Sequence, residues 1–182
     1  MSETEISALS HGFKTRLLSE LPLLKCIRDH EVQVEGWFKA EFLCLLQECQ
    51  MDGRVLSFDR EVMIGQGRKK VDFKVILPVG TTIWMEIKHW LIGQQKRDFL
   101  RPRFYFGDKS SVGLFPDVGK LSSIPDGAKF IMVVVTNNPH GGWAEGVALF
   151  NKKFAPICLM PKSDTSEYPE EFFLGVLQVK RN

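Results

Sequence analysis

The chain has 182 residues, of which 44% are hydrophobic and 25% charged, with a formal net charge of +2. That balance fits an ordinary soluble globular protein and excludes a low-complexity chain; it is also too even for net charge alone to hold a polyanion, so any basic surface must come from local clustering. No window approaches the roughly 18 apolar residues of a spanning helix, which excludes a transmembrane segment of that kind.

A chain of this length can bury a sizeable core, most simply as one domain covering 1–182. The four cysteines, Cys26, Cys44, Cys49 and Cys158, form no Cys-x-x-Cys pair and read as free buried thiols of a reducing compartment. The acidic start Met1-Ser2-Glu3-Thr4-Glu5 lacks the basic, apolar pattern of a secretory signal, so the expected location is cytoplasmic.

In chain order, Ile6 to Lys25 reads as a helix, with Ile6, Leu9, Phe13, Leu17, Leu18 and Leu21 near helical spacing and a break at Pro22 and the charged segment Arg28–Glu31. A second helix is expected from Val34 to Gln50, with Val34, Trp37, Phe38, Phe42, Leu45 and Cys49 as its apolar stripe. Glu41 falls inside that stripe, while Glu35 and Glu48 lie near its edge. A carboxylate there is costly unless it is paired, hydrogen-bonded or bound to a metal: Glu41 either reaches water or pairs with a lysine at the stripe edge, or it points at the same site as Asp72 and Glu86. Met51-Asp52-Gly53 ends the helix. Three strands then form a meander over about 55–64, 69–77 and 81–89, with turns at Gly65-Gln66-Gly67 and Pro78-Val79-Gly80. The two glycines of the first turn do not follow a strand and open a helix, so they do not make a phosphate loop.

Beyond Lys88, the run from Lys96 to Phe106 interleaves Lys96, Arg97, Arg101 and Arg103 with Phe99, Phe104, Tyr105 and Phe106. Basic residues among aromatics suit a nucleic-acid backbone and its bases; the alternative is a loop whose aromatics enter the core. A short helix is expected over Asp117–Ser123, and a strand buried on both faces over Lys129–Thr136. A helix over Trp143–Lys153 and strands over Ala155–Met160 and Phe172–Val179 complete the order. The fold class is therefore α/β, a mixed central sheet flanked by helices.

The hairpin Lys70–Lys88 carries the chemistry. If it is centred on Val79, Asp72 opposes Glu86, with Cβ atoms roughly 4.5–5.5 Å apart. Lys88 shares their face. Two carboxylates so close repel unless a cation joins them. Hard oxygen donors suit Mg²⁺ or Mn²⁺, and a nearby lysine can orient water or stabilise charge on a phosphate. A salt-bridge ladder on an open hairpin face is the alternative; Trp84 and Trp90, which alternate onto that face, argue for a covered one.

Glu41 on a helix, Asp72 on a strand and Glu86-Ile87-Lys88 on the next strand together resemble the PD-(D/E)xK nuclease superfamily, the restriction-endonuclease-like fold. The resemblance covers a core of about 34–153, in the order α-β-β-β-α-β, and leaves the N-terminal helical extension of 1–30 and the C-terminal strands as additions. It implies that Asp72 and Glu86 ligate Mg²⁺ or Mn²⁺ with the backbone carbonyl of Ile87, that Lys88 assists the water, and that Glu41, or Glu35 as second choice, supports the shell. Gln95 stands where some members place a further polar residue. Val71 replaces the proline that often precedes the aspartate. The expected activity is metal-dependent phosphodiester hydrolysis, of DNA ahead of RNA, with Lys96, Arg97, Arg101 and Arg103 touching nucleic acid and a homodimer or partner protein completing a small chain. The alternative is a non-catalytic nucleic-acid-binding or assembly module that keeps the fold. The scattered histidines His11, His30, His89 and His140 do not pair at metal-ligand spacing.

Overall fold

The structure, a computed structural model, describes residues 3–30, 32–65, 69–90, 113–136, 157–158 and 173–179. Helices α1 (Glu3–Leu18), α2 (Leu21–Asp29) and α3 (Glu35–Met51) precede strands β1 (Ser57–Met63), β2 (Lys70–Ile76) and β3 (Thr82–Trp90). Helix α4 (Leu114–Ser122), then strands β4 (Ala128–Val135), β5 (Ile157–Cys158) and β6 (Phe173–Gln178) follow. The six strands form one sheet in the order β1-β2-β3-β4-β6-β5. The meander β1-β2-β3 is antiparallel, β3 and β4 run parallel, and β6 returns antiparallel to both β4 and β5. Mixed α/β architecture is thus observed.

Two helix boundaries differ from those expected. The first helix does not run to Lys25: the chain breaks at Ser19-Glu20, and Pro22 sits in the first turn of α2. The short helix begins at Leu114, before Pro116, not at Asp117. Proline is tolerated in a first turn, where its missing N–H has no intrahelical acceptor to lose. The regions expected to form the basic–aromatic run and the helix Trp143–Lys153 lie outside the described residues, as does Gln95.

The sheet separates two apolar layers. On one face, Phe73, Val75, Ile83, Met85, Ile87, Phe130, Met132 and Val134 pack under Phe13, Leu17, Leu24, Phe38, Phe42 and Leu46 of the three N-terminal helices. On the other, Ile131, Val133, Val135 and Leu177 pack under Leu114, Val118 and Leu121 of α4. β4 feeds both layers alternately, as its β-branched run requires. Helix α3 lies between α1 and the sheet: the Phe42 ring meets Phe13 and Phe73, each at a centroid distance of 5.2 Å.

The β2–β3 turn closes through Gly80 N–H donating to Leu77 O at 2.8 Å, with Gly80 at φ +80°. A left-handed residue there costs nothing only for glycine.

Candidate functional site

The site begins with an irregularity in β2. Regular alternation would put Val71, Phe73 and Val75 on one face. Instead Phe73 and Val75 enter the layer under α3, and Val71 enters the layer under α4. The strand turns over at Asp72. Its β1 partners skip that residue, passing from Arg60↔Phe73 to Val62↔Val71, and the intervening Glu61 is left-handed at φ +51°. Pairing with β3 stops at Phe73↔Met85. The Asp72 carboxylate then replaces the lost ladder: Ile87 N–H donates to Oδ2 at 2.9 Å, and Asp72 N–H donates to Glu86 Oε1 at 3.3 Å. The opposition of Asp72 and Glu86 expected from the hairpin register is therefore present, made by side chains across a splayed strand pair.

Around these two carboxylates lie residues from three further places. Helix α3 sends Glu35 and Lys39 from its first two turns; Lys39 Nζ lies 2.8 Å from Glu35 Oε1 and 2.9 Å from Asp72 Oδ1. Strand β3 sends Lys88, whose Nζ lies 3.2 Å from Asp117 Oδ2 and 3.7 Å from Glu35 Oε1. Helix α4 sends Asp117 and Lys120, one turn apart; Lys120 Nζ lies 2.5 Å from Glu86 Oε1 and 3.0 Å from Asp117 Oδ1. Among the described residues, four carboxylates and three ammoniums make one connected cluster along β3.

Glu41 is not among them. Its carboxylate accepts from Arg16 Nε of α1 at 2.6 Å, and Glu48 takes the same guanidinium at 2.7 Å. The carboxylate that α3 sends to the cluster is Glu35, which also accepts from His89 N–H at 3.4 Å. The physical reason is that α3 is covered twice. An acidic residue within its stripe can face α1 instead of the sheet, and Glu41 does.

Burial decides the electrostatics. Glu86 is 1% exposed. Burial, then repulsion from Asp72 and Asp117, drives its carboxyl well above the usual range, and Lys120 only partly opposes this. Burial works against the charge on Lys88 too, but Asp117, Glu35 and Glu86 outweigh it and hold the ammonium above its ordinary value. Lys39 and Lys120 are raised in the same way, burial being overcome by Glu35 and Asp72 in one case and by Glu86 and Asp117 in the other. All three lysines are therefore cations at neutral pH.

His89 points to the opposite face from Lys88. Its Nδ1 accepts from Val34 N–H at 3.2 Å, Nε2 lies 3.0 Å from Thr136 Oγ1, and its ring meets Phe38 at 4.9 Å. With Nδ1 accepting, the proton resides on Nε2 and Thr136 Oγ1 receives it. Burial holds the imidazole down to about 4, so the ring is neutral and structural, tying the start of α3 to the ends of β3 and β4.

Lys39, Asp117 and Lys120 carried no signal on sequence alone. Lys39 is four residues after Glu35 and Lys120 three after Asp117, spacings common on any solvated helix. Only the sheet crossing brings the two pairs together. The basic residues Lys96, Arg97, Arg101 and Arg103 lie outside the described residues, and nothing is described of the Trp90 side chain. Among the described residues, no three His, Cys, Asp or Glu side chains are grouped to hold one metal ion, and no helix is long and apolar enough to cross a membrane. Compared with known protein families, with curated proteins and with solved structures, the chain matches none.

Proposed function

We propose that this chain is a metal-dependent nuclease of the restriction-endonuclease-like kind, hydrolysing phosphodiester bonds, in DNA ahead of RNA. The observation that carries the reading is the convergence of Asp72 and Glu86 across a splayed strand pair with Lys88 one step along the same strand. The element order α3-β1-β2-β3-α4-β4, with an antiparallel meander and a parallel crossover, supports it.

The donor chemistry of Asp72 and Glu86 fits a hard divalent cation. Both present carboxylate oxygens, and burial with two acidic neighbours disfavours the charge on Glu86, which Lys120 offsets only in part, a burden that a cation relieves. Asp72, Glu86 and the carbonyl of Ile87 would hold Mg²⁺ or Mn²⁺; two protein carboxylates suffice for Mg²⁺, which keeps several waters. When bound, such an ion acidifies water and stabilises charge on phosphate oxygens. Lys88, held charged by Asp117 and Glu35, cannot take a proton; its part is to orient the attacking water and to meet negative charge developing on the phosphate. Glu35, through its contacts with Lys39, Lys88 and His89 N–H, fixes that geometry. With every group ionised the cluster carries one net negative charge. A divalent cation reverses that sign and makes the site attractive to a phosphodiester anion. Lys96, Arg97, Arg101 and Arg103 enter the reading on sequence alone, as contacts to the substrate backbone, and a homodimer or partner protein would extend the surface.

The test is cleavage of supercoiled plasmid, single-stranded DNA and RNA in Mg²⁺ or Mn²⁺. Asp72→Ala and Lys88→Ala should each lower the cleavage rate by about 10²-fold or more, with thermal unfolding still cooperative. Equal rates in wild type and both variants would refute the assignment. A second reading, a binding or assembly module that keeps the fold without catalysis, is favoured by one feature: Asp72 and Glu86 are each already met by a lysine within the chain. Nucleic-acid binding without metal-dependent cleavage would establish it.

A further inference from the structure

The three lysines of the cluster are not equivalent. Among the described residues, Lys88 pairs with Asp117 and Glu35. Lys39 and Lys120 each bridge two carboxylates of different standing. Lys39 lies between Asp72 and Glu35, 2.9 Å from one and 2.8 Å from the other. Lys120 lies between Glu86 and Asp117, at 2.5 and 3.0 Å. In both cases one partner is a carboxylate proposed above to hold the cation, and the other is a neighbour on the lysine's own helix. Glu35 is four residues before Lys39, and Asp117 is three before Lys120.

We propose that Lys39 and Lys120 are exchangeable counter-ions that compete with a divalent cation for Asp72 and Glu86 and shift onto Glu35 and Asp117 when the cation binds. The proposal rests on the cation reading of Asp72 and Glu86. An ammonium and a divalent cation repel each other when both lie against one carboxylate oxygen. One of them must give way, and a lysine on a flexible four-carbon stem can do so by bond rotation alone. Each lysine keeps its outer partner as it moves, so no partly buried ammonium is left unpaired. Glu35 and Asp117 are then positioning residues: they receive the displaced lysines and keep Lys88 charged. Without a cation, the lysines reduce the repulsion between Asp72 and Glu86 and between Glu86 and Asp117. The same device lowers affinity for the cation, because binding must displace two ion pairs.

Isothermal titration with Mn²⁺ tests this on wild type, Asp72→Asn, Lys39→Gln, Lys120→Gln and Lys120→Arg, with thermal unfolding of each protein with and without Mn²⁺. Loss of the competing charge in either Gln variant should tighten Mn²⁺ binding at least tenfold and enlarge the metal-induced rise in Tm. Lys120→Arg, which keeps the charge and grips a carboxylate through two nitrogens, should weaken binding. A merely structural lysine would not give opposite signs for Gln and Arg. Mn²⁺ binding by the Gln variants when wild type shows none also supports the exchange. Should a Gln variant unfold without metal, recovery of a cooperative transition in Mn²⁺ supports it and failure to recover overturns it. Unchanged or weaker binding in both Gln variants, with wild-type binding still lost in Asp72→Asn, overturns the exchange and leaves the cation site standing. No binding in any of the proteins overturns both.

Discussion

At the scale of single residues, the two glutamates of α3 separate stability from chemistry. Glu41 and Glu35 are alike in sequence context, both near the helix's apolar stripe. Glu41 pairs with Arg16 between two helices, where both side chains keep partial access to water. Glu35 pairs with Lys39 and reaches Lys88 and His89 N–H inside the cluster. Glu41→Gln should therefore cost about 1 kcal/mol of stability at most and leave metal-dependent cleavage at the wild-type rate. Glu35→Gln should slow cleavage, because it frees Lys39 and Lys88 from one of their partners. Chemical denaturation and cleavage rates on the same two proteins check this, and a loss of cleavage in Glu41→Gln would return that residue to the site. Asp72, Glu86 and Lys88 were legible because a hairpin register assigns faces without further information. Glu41 was misleading because periodicity reveals that a helix face is covered but not by what.

At the scale of elements, the strands were readable and the helix ends were not, for one reason. Pro22 and Pro116 each look like a break, yet each lies in a first helical turn, where the backbone has no bond for proline to remove. The turnover of β2 at Asp72 was also hidden. Nothing in Lys70-Val71-Asp72-Phe73 announces it; the left-handed Glu61 across the ladder shows it only in three dimensions. Gly127 closes the turn run Pro125-Asp126-Gly127, and here the structure shows how tightly a glycine is required. It enters β4 at φ +82°, and a Cβ there would lie 2.8 Å from Thr82 O and 3.0 Å from the Trp84 ring. The ring is itself held by Trp84 Nε1–H donating to Asp126 O at 3.0 Å. Gly127→Ala should cost about 2 kcal/mol or more, from the left-handed backbone and the contact with Thr82 O together. Urea unfolding at fixed pH measures it. A variant as stable as wild type would mean that the β3–β4 crossover relaxes more easily than its contacts imply.

For the molecule as a whole, two buried groups on opposite faces of β3 set the pH dependence of stability in opposite senses. His89 titrates at about 4 when folded against about 6.5 when unfolded. Between those values the unfolded chain binds the extra proton, so this group makes stability rise with pH, by on the order of 3 kcal/mol, and contributes nothing further above the unfolded value. Glu86 behaves inversely. Burial and its acidic neighbours raise it to about 8 from 4.5, so the folded chain binds the extra proton across that interval and stability falls as pH rises through it. The two slopes oppose each other between about 4.5 and 6.5, and only that of Glu86 remains from there to about 8. Wild type should thus show a nearly level stability in the acidic interval and a decline above it, as measured by urea unfolding at a series of pH values. Glu86→Gln removes the falling term, so its stability should climb up to about 6.5, where free histidine titrates, and then stay level. Saturating Mn²⁺ should do the same to wild type, because a cation on Glu86 stabilises the carboxylate that burial disfavours. A wild-type curve that rises through the acidic interval and stays level to pH 8 would show that Glu86 is ionised throughout and fully balanced by Lys120. The cluster would then lack the strain that invites a cation.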